Sequence, residues 1–173
     1  GFYFIFGFND MIVKILNPFI AVIIGITIFL LGKELWNKEV GIIAAFIAVT
    51  VPSFVTYSVL FYTDILFVFY FSLFVLTYFL GLIKNEKKYL ILAGIFAALT
   101  FLTKTPGVIV FPIIAITLIY LIYRQKNILS NLKNHLILVI LITLDVGGYF
   151  LRNLVQYNTF SCDLPLFPKG GCS

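Results

Sequence analysis

Six apolar blocks, each set off from the next by a short polar or charged cluster, constrain this chain more than any other feature. They run roughly Ile12–Leu31, Val40–Leu60, Ile65–Ile83, Tyr89–Leu102, Val108–Tyr123 and Leu136–Leu151. A bilayer core of about 30 Å takes about 20 helical residues, and lipid offers no partner to open backbone groups. Blocks of this kind must close their own hydrogen bonds as helices. Composition agrees: 62% of the residues are hydrophobic and 11% are charged, where a soluble domain carries about 25% charged residues. The expected fold class is all-α, a polytopic transmembrane helical bundle of about six spans.

Two blocks depart from a plain span. Pro52 falls inside the second, where it is expected to break or kink the helix. The hydroxyl-rich stretch after it, with Tyr57 and Tyr62 suited to a headgroup belt, reads as a helix lying in the interface. The fourth block is short and runs into Thr103, Lys104, Thr105 and Pro106. Either the helix stops below the membrane surface, or it tilts and Lys104 snorkels to the headgroups. Small residues recur at helical spacing at Gly41, Ala44, Ala45 and Ala48, and again at Ala93, Gly94, Ala97 and Ala98. Such stripes let helices pack closely. The opening GFYFIFGFND has neither an initiator Met nor a signal-peptide pattern. The chain is therefore expected to be a piece of a longer protein.

Loop charges orient the bundle. GKELWNKE, KNEKK and RQKNILSNLKNH carry eight of the twelve basic residues, which places them in the cytoplasm by the positive-inside rule. Lys14, Lys104, Arg152 and Lys169 fall on the other side, as do all four aspartates: Asp10, Asp64, Asp145 and Asp163. The net charge of +5 belongs mostly to loops near anionic lipid. There is no basic face with interleaved aromatics, so nucleic acid is not an expected partner.

The candidate functional residues are thus extracytoplasmic. Asp64 stands between two apolar blocks, where an acid either faces a cavity or a cation or caps the following helix with help from its dipole. Lys104 and Arg152 close the outer ends of spans. Each is either a cation for the phosphate of a lipid or lipid-linked donor or a snorkelling anchor. Asp145 stands seven residues before Arg152 and could pair with it locally. His135 has no second ligand nearby in sequence, so no metal site is assigned. These residues point to no particular cofactor, and a divalent metal ion stays open. Cys162 and Cys172, both in the outer tail, are either a disulfide or two free thiols.

Three stretches resemble one family. FGFNDMIVKILNPF through LFYTD is similar to a start with Gly and Asn/Asp, a basic residue, a span, a GKELW-like loop, then Pro, Tyr-Ser and Asp. AGIFAALTFLTKTPGVIVFP resembles that family's helix pair around Leu-Thr-Lys-x-Pro, and GGYFLRNLVQYNTF its exit from a later span. The family is the GT-C class of membrane glycosyltransferases, in the branch of protein mannosyltransferases and lipid A aminoarabinose transferases. The resemblance implies a GT-C-like fold. It also implies transfer, with inversion, of a sugar from a polyprenyl- or dolichyl-phosphate carrier to an acceptor outside the cytoplasm. An acid of the first outer loop would deprotonate the acceptor hydroxyl, while basic residues hold the departing phosphate. That acid and an acidic/Lys-Pro-Pro motif precede the stretch matching GFYFIFGFND. The principal acid/base is therefore expected upstream of Gly1, and the chain alone is expected to be inactive. Asp64 matches a supporting acid of the second outer loop; Asp10 matches no catalytic position.

The expectation is an enzyme of the cell membrane with residues 1–151 as its membrane-embedded region and 152–173 as an extracytoplasmic tail. Its partners would be a lipid-phosphate-linked sugar donor, membrane lipids, and a protein, glycan or lipid acceptor. A transporter or flippase with Asp64 and Lys104 along its path, or a non-catalytic membrane scaffold, are the alternatives. No internal repeat is visible to favour the transporter.

Overall fold

The computed structural model of the chain describes residues 10–59 and 63–123, then 138–140, 142–144, 146–148, 151, 154 and 155. The fold is all-α, with no strand among the described residues. Helix α1 spans Asp10–Leu35, α2 Lys38–Thr50, α3 Pro52–Val59, α4 Thr63–Lys84 and α5 Lys87–Thr103. A five-residue 3-10 helix, Thr105–Ile109, then leads into α6, Val110–Tyr123.

Two of these, over Leu16–Leu35 and Asp64–Lys84, are long and apolar enough to cross a membrane. The pair α2 and α3 is a third if counted as one broken span. Helices α5 and α6 have 17 and 14 residues, short of a full crossing. The outward faces of α1, α2 and α6 carry large apolar side chains: Phe19, Phe46, Ile116 and Ile119 are each more than 60% exposed. A soluble monomer does not present so much apolar surface, whereas lipid tails accept it.

Each break has a local cause. Asn37 caps α2 by accepting the Val40 amide at 2.9 Å. Val51 leaves the helical region at φ −59, ψ 124, as a residue before proline tends to. Pro52 then opens α3, bent 67° from α2. Asn85 ends α4 with φ 54, a left-handed position that asparagine tolerates, and Glu86 pairs with Lys88 at the start of α5. Hydroxyls inside the helices return to their own backbone: Thr50 donates to Phe46 O, Thr56 to Pro52 O and Thr100 to Phe96 O. They therefore carry no unpaired donor into lipid.

The core has two parts. Phe74, Tyr78, Leu90, Ala93, Ala97 and Val110 join α4, α5 and α6. Leu138, Ile142 and Val146, spaced at four-residue steps along one helical face, pack into the same cluster. The second part sets Ile20, Ala21 and Ile24 of α1 against Ile65 at the start of α4. The start of α4 thus meets the middle of α1. In the α4–α5 hairpin the start of α4 and the end of α5 lie at one end, and the lysine-bearing turn between them lies at the other. Ala93, Gly94, Ala97 and Ala98 are all buried, the role their spacing predicts.

Candidate functional site

The site is built where α4 begins and α5 ends. Pro106 stops α5, because a helix running through it would lose an amide donor and clash with the carbonyl one turn back. The chain turns at Lys104, extended at φ −158, ψ 144, whose amide still donates to Thr100 O. Gly107 N–H returns to Lys104 O at 2.9 Å and closes the turn. A Cβ on Gly107 would stand 2.5 Å from Phe101 Cα and 2.8 Å from Thr100 O. Only glycine lets the 3-10 segment fold this close over the last turn of α5. The backbone of Lys104 is consequently fixed while its four-carbon stem stays free to move.

Asp64 lies in the first turn of α4. Lys104 Nζ reaches it and donates to Oδ1 at 2.5 Å. Each charge also sits at the helix end that favours it, the carboxylate at an N-terminus and the ammonium at a C-terminus. The side chains remain 34% and 40% exposed for Asp64 and Lys104. The pair is open to a ligand, and an ion pair of that exposure is worth about 0–1 kcal/mol. Such an arrangement can present an ammonium to an anion and a carboxylate to a hydroxyl.

Sequence reasoning singled out both residues but did not foresee that they meet. Asp64 is in a helix first turn and faces a cation. The signal for the pairing was symmetry about the turn. Asp64 stands 21 residues before Asn85 and Lys104 stands 19 after it, so folding the hairpin brings them level. Arg152, Asp145, His135, Cys162, Cys172 and Asp163 lie outside the described residues, as does the proposed Asp145–Arg152 contact. Among the described residues there is no group of three His, Cys, Asp or Glu that could hold a metal ion. The pair supplies one carboxylate, too few to hold a divalent cation alone.

A separate cleft of about 520 Å³ opens between α1, α2 and α3. Val22, Ile26, Phe46, Val49 and Val55 line it, with Ser58 adding a hydroxyl that donates to Val55 O. Its walls are those of a surface that meets hydrocarbon.

The sequence model of the dolichyl-phosphate-mannose-protein mannosyltransferase family matches residues 1–146. The chain belongs to this family. The matched stretch contains α1–α6 and both members of the Asp64–Lys104 pair, and it ends before Arg152. No curated protein and no solved structure matches the chain. Membership of the mannosyltransferase family makes this a membrane glycosyltransferase of the kind that draws on polyprenyl-phosphate-linked sugars. The apolar helices agree with an integral membrane protein.

Proposed function

We propose that the chain serves the transfer of a sugar from a polyprenyl- or dolichyl-phosphate donor to an acceptor outside the cytoplasm. The Asp64–Lys104 pair would lie at the phosphate. One observation carries this reading: a partly exposed Lys104 on a tightly closed turn, at the end of the α4–α5 hairpin opposite its lysine-rich turn. In the transfer, the acceptor oxygen bonds to the anomeric carbon as the bond from that carbon to the phosphate oxygen breaks. The acceptor proton passes to a base, and the lipid phosphate leaves with the bonding electrons. Charge therefore grows on the phosphate as the reaction proceeds. An ammonium already aimed there stabilises the transition state more than the ground state. Asp64 holds that ammonium while no phosphate is bound and is a candidate contact for the acceptor hydroxyl.

The remaining expectations complete the reading. The six apolar blocks lie in a cell membrane, with residues 152–173 as an outer tail. Arg152 is a second cation for the phosphate, and the acceptor is a protein, glycan or lipid, in the manner of protein mannosyltransferases or lipid A aminoarabinose transferases. Positive-inside orientation supports placing the pair on the outer side.

The test is donor kinetics of the whole protein in membranes. Lys104→Ala should lower kcat/KM for the lipid-phosphate sugar by roughly 10- to 150-fold, the equivalent of a charged hydrogen bond of about 1.5–3 kcal/mol. Lys104→Arg, which keeps the charge, should recover much of it. An unchanged rate in Lys104→Ala would sink the assignment.

A further inference from the structure

A phosphate and a carboxylate compete for the same ammonium, and Lys104 holds a carboxylate. Resting on the function proposed above, we infer that Asp64 is a built-in competitor for the lipid phosphate. It weakens binding of the phosphate and reclaims Lys104 when the spent carrier leaves.

Three observations carry the inference. The ammonium is on a flexible stem rooted in a fixed turn, because the Lys104 backbone is tied to Thr100 and Gly107. It can swing without disturbing α5. The pair is open on the outside, so a ligand reaches Lys104 without first unpacking the core. Asp64 is not stranded when Lys104 departs. It sits in the first turn of α4, where unpaired amides and the helix dipole favour a negative charge. The exchange therefore has a stable partner on each side, and an exposed pair yields at a cost small enough for a ligand to meet.

The consequence is a particular sign. A merely structural ion pair predicts that losing either member harms binding. Competition predicts that losing the anion helps it. The whole protein, reconstituted in nanodiscs, should be titrated with farnesyl monophosphate, with farnesol as the uncharged control. Asp64→Asn keeps the shape of the side chain and should tighten farnesyl monophosphate binding by about two- to fivefold, the range an exposed pair allows. Farnesol binding should not move. Lys104→Ala should weaken farnesyl monophosphate at least tenfold, and the double variant should match Lys104→Ala alone. Competition with inorganic phosphate should show the same gain in Asp64→Asn, which assigns the effect to the phosphoryl group and not to the tail. Asp64→Ser, also able to begin a helix, carries the same expectation should the Asn variant fold poorly. Unchanged or weaker binding in both Asp64 variants, with Lys104→Ala still impaired, overturns the competition and leaves the phosphate site standing. Unchanged binding in Lys104→Ala overturns the site itself. A gain shared by farnesol overturns the competition as well.

Discussion

Gly32 and Gly41 meet through their backbones where α1 and α2 fold against each other. A Cβ on Gly32 would stand 2.7 Å from Gly41 Cα, and one on Gly41 would stand 2.5 Å from the Phe29 carbonyl oxygen. Nothing flexible is available to move aside at either contact. The hairpin that carries the lysines of the first turn is thus closed by the absence of two side chains.

Gly41→Ala should therefore force the two helices apart. An overpacked contact of this kind costs about 1–3 kcal/mol, which would lower the melting temperature measured in detergent. Gly148→Ala is the control, since nothing outside its own helix lies within 4 Å of the added carbon. Equal melting temperatures for the two variants would contradict the packing.

Gly107→Ala should damage the site while leaving the bundle folded. The added carbon meets backbone atoms of Thr100 and Phe101, so the turn must open and carry Lys104 with it. Donor affinity should fall toward that of Lys104→Ala, with helix content by circular dichroism unchanged. Normal affinity in Gly107→Ala would show that the cap does not set the ammonium.

Tyr78 is fully buried and shares a hydrogen bond with Thr117, linking α4 to α6. Tyr78→Phe removes one partner, while the Thr117 hydroxyl keeps its bond to Ile113 O at 2.8 Å. The loss should be small, about 0.5–1.5 kcal/mol. Tyr78→Ala also leaves a cavity and should cost about 3–5 kcal/mol. Thermal unfolding of the two variants distinguishes the ring from the hydroxyl. A Tyr78→Phe protein as unstable as Tyr78→Ala would mean that the hydroxyl dominates.

Topology is open to direct test. With Cys162 and Cys172 replaced by serine, a single cysteine at position 87 should be shielded from an impermeant maleimide in intact cells. One at position 104 should be labelled, because the two positions lie at opposite ends of α5. Outside labelling at 87 would invert the orientation and remove the pair from the outer side.

Helix boundaries were legible in the sequence wherever lipid leaves the backbone no alternative. The block Ile65–Ile83 became Thr63–Lys84, Tyr89–Leu102 became Lys87–Thr103, and the expected break at Pro52 fell at Val51. The start of the fifth block was less legible. Val108 belongs to a 3-10 turn and α6 begins at Val110, because hydropathy does not register how Pro106 and Gly107 fold the chain. Which faces pack was hidden for a related reason. In a helix such as α5 nearly every residue is apolar, so only the small residues mark the contact. Asp64 and Lys104 were conspicuous as charges among apolar neighbours, but their meeting is tertiary and depends on the length of the hairpin on either side of Asn85.

The helices that descend toward Asp64 and Lys104 are unequal. Helix α4 has 22 residues and α1 has 26, roughly 33 and 39 Å, whereas α5 has 17 and α2 has 13, roughly 26 and 20 Å. A bundle of this shape fits a thick leaflet around its long helices and a thin one around its short ones. It must dimple the bilayer on the side where α2 and α5 stop, at a cost of fractions of a kcal/mol per Å of mismatch. Acyl-chain length thereby becomes a variable of the chemistry. Shorter chains would leave the carboxylate and ammonium wet, and longer ones would draw them into hydrocarbon. Transfer rates in vesicles of graded chain length should fall as the lipid thickens, and a flat profile would show that the pair lies clear of the leaflet.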